Sequence, residues 1–349
     1  MPRSRQALTV LPGKTLARLV TNENTNKKIT VMTPFSILLA SPRGFCAGVV
    51  RAIVTVRLCL QEHGAPTFVL HEIVHNRHVL RELESLGAVF VASLADIPAG
   101  GICIFSAHGV PKSTEMQAKN LGLRTIDATC PLVASVHRMV EKYHRDGYDI
   151  IIIGHRHHPE VEGAAGRVEN RVHVVSSEEE AENVVVENPG KVACVTQTTL
   201  SHEEISGIRE ILLRKFPDLR GQKTNICFAT ENRQNAVRIL AKQCDCIYVV
   251  GSKNSSNSNR LREVAKNSGI QELAFLIDDY HDIDLQQLAG VKKVGITAGA
   301  SAPERLVEDV VRFLQAHGGG EARDMPGVEE KVRFQPARLA TPGCPPPEG

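Results

Sequence analysis

The chain has 349 residues, 41 Lys and Arg against 39 Asp and Glu, a formal net charge of +2 and 42% hydrophobic residues. That length suffices for two or three domains with sizeable cores, while a near-neutral balance with 4 Tyr, 10 Phe and no Trp argues against a nucleic-acid surface. No apolar run approaches the roughly 20 residues that span a bilayer, and nine scattered cysteines without a secretory signal point to reduced thiols in a soluble cytoplasmic protein rather than to a disulfide framework.

Residues 1–34 show neither strand alternation nor helical period and read as a disordered basic arm carrying Arg3, Arg5, Lys14, Arg18, Lys27 and Lys28 against a lone Glu23. An organellar targeting peptide is the minor alternative, since the segment lacks a clear amphipathic stripe. Met32, just before the first strand, favours an over-extended gene start.

From residue 35 short Val/Ile/Leu runs alternate with amphipathic segments, the signature of parallel α/β structure. The pattern predicts strands at 36–41, 67–73, 88–92, 102–106, 124–127, 149–154, 172–175, 191–196, 225–228, 246–250, 273–277 and 292–297. Helices are predicted between them at 48–63, 76–86, 132–146, 201–215, 231–242, 257–267 and 303–317, with Ser201 and Glu204 at capping-box spacing. Right-handed crossovers gather the strand C-terminal ends on one edge of a parallel sheet, where ligands collect. Residues 318–349, rich in Gly and Pro, read as a disordered tail that includes Cys344.

Cys59, Cys103, Cys194, Cys244 and Cys246 lie in or beside apolar segments and read as small buried hydrophobes. Cys46, Cys130 and Cys227 differ. Each stands at a predicted strand-to-helix corner, in Pro42-Arg43-Gly44-Phe45-Cys46-Ala47-Gly48, Asp127-Ala128-Thr129-Cys130-Pro131 and Asn225-Ile226-Cys227-Phe228-Ala229-Thr230. One falls in each third of the body, so a pseudo-threefold arrangement brings them to one centre. Three thiolates suit a zinc ion with an open fourth position or a cubane iron–sulfur cluster with one iron free of cysteine, and spacing alone does not choose.

Polar groups gather at other strand ends. Gly154 to Gly163, with His155, His157, His158, Glu160 and Glu162, follows an apolar strand; a His-x-Glu pair there can position and protonate a leaving group, a solvated turn being the plainer reading. Gly251 to Arg260, including Ser255, Ser256 and Asn257, precedes a helix and reads as an anion site. Thr297 to Pro303, with Ser301, repeats that design. His75 and His108 also end strands, as does Thr196 to Ser201 with Thr198; taken singly, the histidines are structural more often than not.

Taken in order, these motifs resemble the 4-hydroxy-3-methylbut-2-enyl diphosphate reductase family over about residues 36–316. The matching segments are those around Cys46, Cys130, His158, Thr198, Ser255 and Ser301, with Val-His-Asn-Arg at 74–77, Ala-His-Gly-Val at 107–110 and Asn-Arg-Gln at 232–234. The resemblance implies three α/β domains in a pseudo-threefold cloverleaf around one [4Fe-4S] cluster held by Cys46, Cys130 and Cys227. It implies domains at 48–130 and 131–225, with 35–47 joined to 226–317 in the third. It implies reductive dehydroxylation of the hydroxylated diphosphate to isopentenyl and dimethylallyl diphosphate, with electrons from a ferredoxin or flavodoxin type donor. The family's diphosphate-binding positions fall on His75, His108, His158, Ser255, Ser256, Asn257 and Ser301, its proton donor on Glu160 and its substrate-hydroxyl partner on Thr198. The family often has glycine where this chain has His157, so the register of His158 rests on its spacing to Pro159 and Glu160. Other three-cysteine iron–sulfur enzymes, of the quinolinate synthase or diphthamide-synthesis type, do not carry this ordered set. A redox sensor or a zinc-stabilised binding module would need no diphosphate pocket.

Overall fold

The computed structural model describes residues 34–339. The basic arm up to residue 33, and residues 340–349 with Cys344, lie outside the described residues.

The elements follow in chain order as β1 (Phe35–Leu39), α1 (Ala47–His63), β2 (Thr67–Leu70), α2 (Arg77–Ser85), β3 (Ala88–Val91), β4 (Ile102–Phe105), α3 (Lys112–Asn120), β5 (Arg124–Asp127) and α4 (Pro131–Arg145). Next come β6 (Asp149–Ile153), α5 (Pro159–Ala165), β7 (Val172–Val175), α6 (Glu178–Asn183), β8 (Val192–Thr196) and α7 (His202–Lys215). The series ends with α8 (Phe228–Ala241), β9 (Cys246–Val250), α9 (Ser256–Asn267), β10 (Ala274–Ile277), β11 (Lys293–Ala298), α10 (Glu304–Ala316) and β12 (Gly319–Asp324).

They form three parallel-sheet α/β domains. The sheet orders are β3-β2-β4-β5, β7-β6-β8 and β10-β9-β11-β1-β12, and every pairing is parallel. Central strands buried on both faces need unbroken apolar runs. The sequence supplies them: β6 reads Asp-Ile-Ile-Ile-Ile and β9 Cys-Ile-Tyr-Val-Val, every residue buried. Asp149 is tolerated at the start of β6 because its carboxylate accepts the backbone N–H groups of Glu187 and Asn188 at 3.2 and 3.0 Å and pairs with His173.

Local caps set where helices begin. Asn76 starts α2 by accepting the N–H groups of His78 and Val79, and Ser201 with Glu204 closes the predicted capping box on α7. Cys59, Cys103, Cys194, Cys244 and Cys246 are buried free thiols.

Two expectations are overturned. Residues 225–228 form no strand. Thr196 and Asn225 bond each other instead, the Asn225 side chain accepting the Thr196 N–H and the Thr196 hydroxyl accepting the Asn225 N–H, both at 2.8 Å; that leaves Cys227 as the residue before α8. The tail from 318 is not disordered over its described part. Gly319–Asp324 forms β12, paired in parallel with β1, and residues 325–339 continue across the surface, with Met325 buried in the core beneath α8 and α9. β12 alternates no apolar face, so its sequence carries no strand signal; pairing with a strand from the other end of the chain makes it one.

Candidate functional site

One cavity lies where the three domains meet. It encloses about 660 Å³, counting the part open to solvent, within the roughly 300–1,000 Å³ of small-molecule sites. Every residue to which the family resemblance assigns a role lines it: Cys46, Cys130 and Cys227; Glu160 and Thr198; His75, His108 and His158; Ser255, Ser256, Asn257 and Ser301.

The cysteines share a local design. Each is the residue immediately before a helix, Cys46 before α1, Cys130 before α4 and Cys227 before α8. Unpaired N–H groups and the positive ends of three helix dipoles therefore converge on one place, which favours thiolates and an anionic centre. Backbone bonds from Cys46 N–H to Ala300 O (3.1 Å), Cys130 N–H to Ala107 O (3.0 Å) and Cys227 N–H to Thr198 O (3.1 Å) stitch the corners to neighbouring strand ends. A Cβ built on Gly48 would meet the Cys130 Sγ at 2.6 Å, so only hydrogen at position 48 leaves that sulfur its place. Burial pushes the Cys130 thiol up to about 12, with Cys46 and Cys227 adding to the rise. Burial likewise takes Cys227 up to about 11, with Cys46 next, against the hydrogen bonds from Thr230. Without a cation these two thiols keep their protons. Thr230, which the sequence reading passed over, stands with its hydroxyl 3.2 Å and its N–H 3.4 Å from the Cys227 Sγ; the signal was its position three residues beyond the residue that opens a helix.

Glu160 is 3% exposed. Its Oε1 accepts the Thr198 N–H at 2.6 Å and its Oε2 lies 3.0 Å from the Thr198 hydroxyl. Burial raises its carboxyl to about 7, the two Thr198 bonds pulling the other way. A carboxyl in that range carries a proton that it can give up near neutral pH.

Beside it the three imidazoles cluster. His75 stacks on His108 with centroids 4.3 Å apart, and His158 meets each of them edge-on at 5.7 Å. His158 opens α5, its Nδ1 accepting the Glu160 N–H at 3.1 Å, which leaves the proton of the neutral ring on Nε2. Burial drives His158 down to about 3, and burial followed by the charges of its two neighbours drives His108 well below the usual histidine range. His108 and His158 therefore stay uncharged until an anion joins them. The Glu72 carboxylate accepts the Nδ1 proton of His75 at 2.7 Å and also a bond from the Asn254 amide at 2.9 Å. His155 turns away toward Arg260, and neither His155 nor His157 lines the cavity.

The far wall is the start of α9. Ser255 caps it by accepting the Ser258 N–H, and the Ser256 hydroxyl meets that of Thr199 at 2.9 Å across the domain boundary. Ser301 donates to the His75 carbonyl at 2.9 Å. Three buried polar atoms in this wall have no partner: His75 Nε2 and both amide atoms of Asn257. Buried orphans of this kind mark a ligand's place, and beside a helix N-terminus that ligand is an anion.

The protein-family model of LytB protein matches residues 37–315. The chain is 61% identical over 303 residues to the 4-hydroxy-3-methylbut-2-enyl diphosphate reductase of Desulfotalea psychrophila, covering 87% of this chain and 96% of that protein. It is 50% identical over 299 residues to the reductase of that name from Bordetella pertussis, covering 85% and 91%. Among solved structures it is similar to the E-1-hydroxy-2-methyl-but-2-enyl-4-diphosphate reductase from Plasmodium falciparum, with a TM-score of 0.82, 37% identity and coverage of 88% of this chain and 96% of that chain. A second solved structure, (E)-4-hydroxy-3-methyl-but-2-enyl diphosphate reductase, described as the terminal enzyme of the non-mevalonate pathway, matches with a TM-score of 0.58 and 32% identity over 81% of this chain and 99% of that one.

Proposed function

The chain belongs to the LytB protein family, and from that membership we propose that it reduces 4-hydroxy-3-methylbut-2-enyl diphosphate to isopentenyl and dimethylallyl diphosphate, as an oxidoreductase of the non-mevalonate isoprenoid pathway. The change consumes two electrons and two protons. The allylic C–O bond breaks, the hydroxyl leaves as water, and a proton adds at either end of the allyl fragment. One observation carries the reading: the cavity joins a corner of three thiols, a buried neutral acid and an unpartnered anion wall.

Cys46, Cys130 and Cys227 suit a [4Fe-4S] cluster better than a zinc ion. Among the described residues no three His, Cys, Asp or Glu side chains are grouped to hold a single metal ion, whereas a four-iron cube is larger and spreads its thiolates. When bound, such a cluster supplies the two electrons and a Lewis-acidic iron without a protein ligand. The Thr230 N–H donates to the Cys227 sulfur, a bond of the kind that tunes a cluster's potential. A ferredoxin or flavodoxin type donor suits electrons that enter singly.

The remaining work is done by side chains of the cavity. His75, His108 and His158, with the start of α9 and Ser301, hold the diphosphate, which gives the buried His75 Nε2 and the Asn257 amide their partners. The fixed anion aims the allylic alcohol at the thiol corner, the positioning that makes an encounter effectively intramolecular. The Thr198 N–H donates to Glu160 Oε1 and the Thr198 hydroxyl to Oε2; once the carboxyl is protonated on Oε2 the second bond reverses, and Thr198 can pass the proton on to the substrate hydroxyl. Among the described residues no helix is long and apolar enough to cross a membrane, and the reduced thiols fit a cytoplasmic setting.

Anaerobic reconstitution with iron and sulfide tests this reading. The loaded protein is expected to turn brown and, with dithionite and a mediator, to convert the hydroxylated diphosphate into both products; a folded, colourless protein without turnover would overturn it. Gly48→Ala gives a second prediction, because its methyl would occupy the space of the Cys130 sulfur. Bound iron is expected to fall by about 10-fold or more, the scale for disturbing a metal ligand's placement, while circular dichroism stays native. Full iron occupancy in that variant would show that Cys130 is not held where the cluster needs it.

A further inference from the structure

The described tail returns to the thiol corner from outside. After β12, residue 327 passes so close to the loop before Cys46 that a Cβ there would meet the Ser41 carbonyl at 2.1 Å. Glu330 then reaches Arg233, which is 1% exposed, its carboxylate accepting two bonds from Nη1 at 3.0 and 3.1 Å and one from Nη2 at 3.2 Å. Arg233 spends its other donors on carbonyls: Nε on Gly44 O at 2.9 Å, Nη2 on Phe45 O at 3.2 Å and Nη1 on Ala229 O at 2.8 Å. Its guanidinium therefore clamps the loop that delivers Cys46 to the first turn of the helix that delivers Cys227. Gly44, at φ +66°, takes the left-handed backbone that this approach requires.

Further on, the Gln335 carbonyl accepts Arg51 Nε at 2.9 Å, and Arg51 also holds the Thr129 carbonyl at 2.8 Å and the Asp127 carbonyl at 3.3 Å. Those are the residues leading into Cys130. The Ala337 N–H donates to Thr55 Oγ1 at 3.0 Å, and Ala337 and Leu339 pack on the core cluster that Phe45 and Cys46 also touch. One segment thus braces every cysteine corner, starting in the third domain and ending on α1 of the first.

We propose that residues 325–339 are a strap that fixes the cluster's corners, and that Glu330 is the positioning residue that sets the Cys46 loop through Arg233. Glu330 is the carboxylate paired with that buried guanidinium; without it the charge is uncompensated in a dry site and the clamp has reason to open. The proposal rests on the cluster reading and adds to it a part of the chain with no direct contact with the substrate cavity.

The test follows iron leaving the anaerobically loaded full chain to a ferrous chelator, alongside the visible absorption of the cluster. Glu330→Gln, which keeps the shape and removes the charge, is expected to release iron about 10-fold or more faster than wild type, the scale for losing a group that orients a metal ligand. Ile151→Ala, which destabilises the second domain's core outside the cavity, is the control, and at an equal interval below its own Tm it is expected to release iron at the wild-type rate. Thr55→Val unpins Ala337 without uncovering a buried charge, and is expected to speed release by about 3-fold, a milder loss of the same bracing. Wild-type release rates in both Glu330→Gln and Thr55→Val, or equal acceleration in Ile151→Ala, would overturn the strap. A wild-type chain that takes up no iron would instead overturn the cluster reading, so the two failures are distinct.

Discussion

Glu160→Gln is expected to lower kcat by about 10²–10⁴-fold, the usual contribution of a positioned general acid, with little change in diphosphate binding. Glutamine keeps the geometry: its carbonyl can accept the Thr198 N–H where Oε1 does at 2.6 Å, and its amide can donate to the Thr198 hydroxyl where Oε2 stands at 3.0 Å. What it lacks is a proton to release. In wild type burial holds the carboxyl at about 7, so the rate is expected to fall as pH rises through that value, and this limb is expected to vanish in the variant. Stability moves the other way from an ordinary surface glutamate. Between its usual 4.5 and about 7 the unfolded chain ionises Glu160 while the folded chain does not, so wild type loses stability as pH rises through that window and the variant does not. Steady-state kinetics and thermal melts across pH check both, and an unchanged kcat would remove Glu160 from proton delivery.

Cys130→Ser is the other large effect: bound iron and activity are expected to fall together toward background. Cys130 is buried beside Gly48, and its thiol, raised to about 12 by burial and then by Cys46 and Cys227, loses its proton only to a cation. A serine hydroxyl is a far weaker acid, so the corner loses its ligand. Cys103→Ser is the contrast. That thiol is also raised to about 12 by burial, but it lies inside β4, away from the cavity. Its replacement is expected to cost roughly 1–3 kcal/mol for a buried hydroxyl and to leave the iron in place. Iron and sulfide determinations on both variants separate a ligand from a core thiol.

Much of this was legible in the sequence because it depends on local patterns. The apolar runs of β6 and β9 declare buried parallel strands, Ser201 and Glu204 declare the start of α7, and the motifs at strand ends name the residues that line the cavity. Other features depend on partners far along the chain. Residues 225–228 look like a strand by composition, but Asn225 and Thr196 satisfy each other's backbone through side chains. The polar sequence of β12 becomes a strand only by pairing with β1. Short helices such as α3, α5 and α6 carry too few turns for a clear period. Glu330 gives no sign by itself, because its meaning lies in the buried Arg233 that it meets across the fold.

The central proposal is that Cys46, Cys130 and Cys227 would hold a four-iron cluster, which would supply one iron free of cysteine for the substrate hydroxyl. Mössbauer spectroscopy of protein loaded with iron-57, before and after addition of the hydroxylated diphosphate, tests it most directly. About one quarter of the iron signal, the share of a single site in a four-iron cluster, is expected to shift on addition while the rest stays. A spectrum that the substrate leaves unchanged, or one that shows isolated iron rather than a cluster, would contradict the account.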